Sequence, residues 1–79
     1  MVGRVVCSKS GRDKGYFLVV VKEEDGSLFV CDGKERPLSR PKRKNPKHLA
    51  LTNTVLGKSS YSTDKSLRRA LAVYRDSVL

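Results

Sequence analysis

A mainly β chain, folded as a small barrel of about five strands with a carboxy-terminal α-helix, is predicted by three features of the sequence. Runs rich in valine and aromatic residues, each too short for a typical helix, alternate with glycine-bearing turns through roughly the first fifty residues. All three prolines, Pro37, Pro41 and Pro46, fall in one basic stretch, where they exclude a central strand. Apolar residues at helical spacing begin only after residue 63.

Taken in order, residues 2–8 read as a first strand and residues 16–23 as a second, both dominated by β-branched or aromatic side chains. Asp25-Gly26 supplies the positive φ angles of a type I′ turn, so residues 27–32 fold back antiparallel on the second strand. Asp32-Gly33 bends the chain again ahead of residues 34–47, an extended edge segment or loop. Residues 48–52 then alternate Leu49 and Leu51 with other residues, as a half-buried closing strand does. Strands so short and so close in sequence bury a common apolar face only by curling, and an SH3-like barrel is the natural form.

Residues 57–62 are small and polar and read as a linker between a barrel over residues 1–56 and a helix over residues 63–79, the whole being one domain. Thr63 is placed to cap the helix, and Asp64 favours the positive end of its dipole. The helix is expected to run to about Asp76. Leu67, Leu71, Tyr74 and Val78 form a narrow stripe opposite Lys65, Arg69 and Asp76. Such a stripe is either the domain's own core or a docking face, and packing on the barrel is the commoner outcome.

A chain of 79 residues buries only about 60% of its unfolded surface, which leaves little room for a cleft of enzyme size. With 38% hydrophobic and 32% charged residues the chain has the composition of a folded domain, while 6% aromatic residues and no Trp restrict base stacking to a minor part. The 17 Lys and Arg outweigh 8 Asp and Glu to give a formal net charge of +9, which points to a polyanionic partner, nucleic acid first. A membrane surface is the other polyanion. No long apolar run, signal-like amino terminus or lipidation motif accompanies the charge, so a soluble, cytoplasmic protein without a membrane partner is expected.

Two constellations carry the positive charge. Between the first two strands lie Lys9, Arg12 and Lys14, with Gly11 and Gly15 beside them: cations on turn backbone at the end of a sheet, suited to gripping phosphates. The turn alone would account for the glycines, by its need of positive φ, and the two readings are compatible. Residues 34–47 then hold Lys34, Arg36, Arg40, Lys42, Arg43, Lys44 and Lys47 against Glu35 alone, seven of the 17 basic residues. So dense a run is self-repelling unless solvent or a partner screens it, and the prolines keep it extended, so that less freedom is lost on binding. A solvated face is the bland alternative. The expected RNA-binding residues are Lys9, Gly11, Arg12, Lys14, Gly15, Arg36, Arg40, Lys42, Arg43, Lys44 and Lys47. Of Tyr16 and Phe17, strand alternation sends one inward and leaves the other free to stack on a base.

Gly3, Val5, Gly11, Lys14, Gly15 and Val19 fall in a pattern that resembles the KOW motif of ribosomal proteins and transcription elongation factors. Asp32-Gly33, the basic stretch of residues 36–47 and His48-Leu49-Ala50-Leu51-Thr52 extend the resemblance to the L-fourteen-e family of ribosomal proteins, in its short, stand-alone bacterial form. About two thirds of the chain takes part. The chain departs from the motif at Tyr16, Phe17 and Leu18, where many KOW sequences carry a further glycine. The resemblance implies an SH3-like barrel and contact with RNA, ribosomal RNA or the large ribosomal subunit above all, as a component of translation.

Other chemistries lack their residues. Cys7 and Cys31 are far apart in sequence and within apolar runs; their spacing permits a disulfide, but reduced, buried thiols are the preferred reading. His48 has no partner at a catalytic or metal-binding spacing, and Glu23, Glu24 and Asp25 flank a turn. No catalytic or metal-binding residue, cofactor or small-molecule substrate is therefore expected. A protein-interaction adaptor of SH3-like fold and a DNA-binding barrel are the rival readings.

Overall fold

The computed structural model describes residues 1–78, which form one five-stranded antiparallel sheet and one α-helix. The strands are β1 (Arg4–Ser8), β2 (Phe17–Glu24), β3 (Ser27–Cys31), β4 (Lys42–Lys44) and β5 (Leu49–Val55), and the helix is α1 (Asp64–Val78). Their order across the sheet is β4-β3-β2-β1-β5. The hairpin between β2 and β3 turns at Asp25 and Gly26, whose φ angles of 50° and 77° are the positive pair that a type I′ turn requires. A three-residue strand survives inside the proline-bearing segment because Pro41 and Pro46 lie just outside it.

The two edge strands, β4 and β5, are neighbours in sequence, joined only by residues 45–48, of which Pro46–His48 form a 3-10 turn. Three strand spacings of about 4.8 Å would separate β4 from β1 by roughly 14 Å in a flat sheet, well beyond the reach of one lysine side chain. Instead the Lys44 side chain of β4 reaches Ser8 at the end of β1, its Nζ donating to Ser8 Oγ over 3.0 Å. The sheet is therefore strongly curled. It is not closed, since β4 and β5 do not pair, and the expected barrel is in fact an open, barrel-like sheet.

Curling gives the sheet two apolar faces. Val6, Leu18, Val20, Leu28, Val30 and Leu49 fill the concave side. Val5, Val19 and Cys31 alternate with them and meet Leu67 and Leu71 of α1 on the convex side. Burial on both faces explains the unbroken apolar run of β2, where strict alternation would have signalled one wet face. A bulge in the pairing of β1 with β5 falls between Arg4 and Val6. There the Thr52 hydroxyl donates to Val5 O over 2.7 Å, supplying a hydrogen bond that the ladder omits.

Helix α1 begins as its sequence suggests. Thr63 Oγ1 accepts from the Ser66 amide (3.1 Å) while Ser66 Oγ accepts from the Thr63 amide (3.2 Å), a reciprocal cap with serine in the third position. The helix runs to Val78, two residues beyond the expected end, and only part of the stripe is used: Leu67 and Leu71 are buried, Tyr74 is half-buried and Val78 is exposed. Residues 57–62, read as a linker, include a 3-10 turn at Lys58–Tyr61 that lays Tyr61 against the convex cluster. Gly33, at φ 81°, permits the close approach of α1, because a Cβ there would stand 2.5 Å from Asp64 O. Asp64 Oδ1 accepts from the Leu38 amide (2.8 Å) and Arg68 Nη1 donates to Gly33 O (2.7 Å), stitching the helix to residues 33–38. Among the described residues no helix is long and apolar enough to cross a membrane.

Candidate nucleic-acid interface

The loop between β1 and β2 is built on its own backbone. Gly15 N donates to Ser8 O (2.8 Å) across the neck of the loop, and Lys14 N to Gly11 O (3.3 Å) and Tyr16 N to Asp13 O (2.8 Å) close turns. Gly11 and Gly15 sit at φ 76° and 86°, and a Cβ at Gly15 would meet nothing within 4 Å. Their need is conformational; the surface above Gly15 is open, while a Cβ at Gly11 would stand 3.9 Å from Lys44 Nζ. Lys9, Arg12 and Lys14 are all exposed there.

Between these cations the chain buries one acid. Asp13 is 3% exposed, and its Oδ2 lies 3.6 Å from Arg36 Nε and 3.9 Å from Lys42 Nζ. A carboxylate from the loop thus lies within ion-pair range of two cations of the proline-bearing segment, with no hydrogen bond made by its Oδ2 or by Arg36 Nε, and it offsets part of their charge. A second tie joins Lys9 N to His48 O over 2.8 Å, which sets the start of the loop beside the exposed Lys47. The loop and residues 34–47 consequently share one end of the sheet.

Two expected phosphate ligands lie elsewhere. Lys44 is 7% exposed, and its Nζ points inward to Ser8 Oγ (3.0 Å) and Ser10 O (3.2 Å), so it supports the loop from beneath. Arg43, one residue away on a strand, necessarily faces the other side. Its Nε donates to Ser27 Oγ (3.0 Å), next to the β2-β3 turn. At that turn Lys22, 2.7 Å from Glu24, holds the Glu24 carboxyl below its ordinary range through hydrogen bond and charge, and Arg43 adds to the effect. Arg40 is exposed in a turn closed by its amide on Pro37 O (2.9 Å).

The structure also distinguishes the two aromatic residues after the loop. Phe17 packs edge to face on Tyr74, with centroids 5.1 Å apart, whereas Tyr16 is 55% exposed. Tyr16 borders a cleft of about 350 Å³ between the loop, the turn at residues 32–35 and α1, with Lys34, Arg68 and Arg75 also lining it. A neighbouring hollow of about 250 Å³ shares Tyr16 and Glu35 with the cleft and continues to Arg12, Asp13 and Arg36.

The sequence matches no protein-family model and no curated protein. Any account of the site therefore stands on its own residues. Asp13 is the member that sequence reasoning passed over; its signal was to be the single acid inside a basic loop. The helix was not read as part of the nucleic-acid interface, yet Arg68, Leu71 and Arg75 at positions i, i+3 and i+7 form one face, a spacing that could have shown cations beside an apolar anchor. Cys7 and Cys31 are free thiols, and burial pushes that of Cys31 up to about 11, with the Asp64 and Asp32 carboxylates adding to the shift.

Proposed function

We propose that this protein binds structured RNA through its backbone phosphates, as a binding protein and not an enzyme. Lys9, Arg12, Lys14 and Lys47 present exposed cations, and the half-buried Arg36 and Lys42 stand within ion-pair range of Asp13. The observation that carries the reading is the meeting of two separate basic segments, in the ion-pair contacts of Asp13 with Arg36 and Lys42 and in the Lys9 N to His48 O hydrogen bond, on a chain of net charge +9. Cations at several points of a small surface match phosphates repeated along a strand, and open backbone at Gly15 lets a phosphate approach the loop. The resemblance to KOW and L-fourteen-e sequences supports ribosomal RNA as the target, and with it a cytoplasmic, ribosome-associated role.

The test is binding of RNA across a salt series. With about five phosphates neutralised, the log-log slope is expected near −3.5 for a single strand and steeper for a duplex. A flat titration refutes the reading. Competition with DNA of matched length separates RNA from a general polyanion, because only RNA offers the 2′-hydroxyl. Cosedimentation with large ribosomal subunits that ribonuclease abolishes is expected if the target is ribosomal RNA.

A further inference from the structure

We infer that the cleft between the β1-β2 loop, the turn at residues 32–35 and α1 receives one unpaired nucleotide of the bound RNA, with its base on Tyr16 and its phosphate on Arg68 and Arg75. The inference rests on the RNA-binding reading and adds to it a preference for a strand with an extruded base. The cleft, of about 350 Å³, lies within the size range of small-ligand sites. Phe17 and Leu71 give it an apolar floor, and the exposed Tyr16 ring stands at its edge.

That ring is held at its root. Tyr16 N donates to Asp13 O (2.8 Å) and Tyr16 O accepts from Ser8 N (3.0 Å), so the backbone is fixed, and Phe17 beside it is locked against Tyr74. A planar aromatic side chain on rigid backbone loses little freedom when a base stacks on it. Phe17, half-buried and packed on Tyr74, forms the floor and not the stacking platform.

Charge decides the size of the occupant. Lys34, Arg68 and Arg75 line the cleft together with Asp32 and Glu35, an excess of one positive charge, which suits a single phosphate and not a run of them. Asp32 Oδ1 already accepts from the Lys34 and Arg36 amides (2.8 and 2.9 Å) and so builds the turn. Arg68 is anchored by one nitrogen on Gly33 O, which leaves its remaining donors for an anion. Stacked bases of an A-form duplex cannot enter such a cleft, whereas a bulged base is already out of the stack. The hollow that shares Tyr16 and reaches Arg12 and Arg36 gives the strand a route from the cleft to the phosphate-binding loop.

The experiment compares three labelled RNA hairpins closed by one common, tightly folded tetraloop: with a fully paired stem, with a single-nucleotide bulge in the stem, and with the same bulge carrying an abasic residue. Wild type is expected to bind the bulged hairpin about fivefold or more tightly than the abasic one, which has the same phosphates. Tyr16→Ala is expected to erase that difference while leaving affinity for the paired hairpin unchanged, and Tyr16→Phe to keep it. Arg75→Gln should weaken the bulged hairpin more than the paired one. Equal affinity of wild type for bulged and abasic hairpins, with all three bound, overturns the subsite and leaves the phosphate-binding reading standing. Failure to bind any hairpin overturns both. Because Tyr16 and Arg75 are exposed, unchanged circular dichroism is expected for these variants.

Discussion

Lys44 shows how strand geometry, and not charge, decides where a side chain points. Within a run of cations it looks like a phosphate ligand, but β-strand alternation turns it into the curl of the sheet, where its two hydrogen-bond partners are neutral. Lys44→Ala strips Ser8 Oγ and Ser10 O of a donor, and the loss is expected to cost about 1–3 kcal/mol of stability in urea denaturation. The effect on RNA affinity should then be indirect and absent from the salt slope, since no phosphate contact is lost. Cys31 gives a second residue-scale expectation. Its thiol, pushed up to about 11 chiefly by burial, is protonated in the fold at pH values where the unfolded chain begins to ionise. A raised folded value means that the contribution to stability is complete below the ordinary value of the thiol and is lost as pH rises through about 11. Wild type should therefore lose more stability than Cys31→Ala between about pH 8 and 10.5, and iodoacetamide should reach the half-buried Cys7 before Cys31 in the native protein.

Among the elements, those governed by local chemistry were legible and those governed by the curl were not. Asp25-Gly26 announced its turn because the backbone there needs positive φ, and Thr63 announced the start of α1 because free amides need an acceptor. β4 was legible only as an extended edge segment, for its three residues carry no apolar pattern and gain their place from pairing with β3. Residues 48–52 gave the start of β5 but not its continuation to Val55, which depends on the bulge that Thr52 stabilises. The site divides in the same way. The loop cations could be named from sequence, whereas the Asp13 bridge joins residues brought together only by the fold. Helix α1 is part of the domain by the burial of Leu67 and Leu71, so alanine at either position is expected to cost about 2–5 kcal/mol. Alanine at the exposed Val73 or Val78 should change stability by no more than about 0.5 kcal/mol, a contrast that thermal denaturation would measure.

For the whole molecule, a net charge of +9 attracts any polyanion, and weak affinity for RNA would by itself say little about a site. What distinguishes a built surface from a general field is that equal changes of charge at different places have unequal effects. Arg12 and Lys14 lie on the loop, while Lys22 and Arg43 lie near the β2-β3 turn, the first beside Glu24 and the second hydrogen-bonded to Ser27. Changing either pair to glutamine removes two positive charges. If the loop contacts phosphates, Arg12→Gln with Lys14→Gln should lower the magnitude of the single-strand salt slope by about 1.4, two phosphates at roughly 0.7 each. Lys22→Gln with Arg43→Gln should weaken binding slightly at low salt and leave the slope as it was, because screening removes a distant field but not the count of released counterions. Identical slopes for the two double variants would mean that RNA senses only the total charge of the molecule, and the surface assigned to the loop would have to be abandoned.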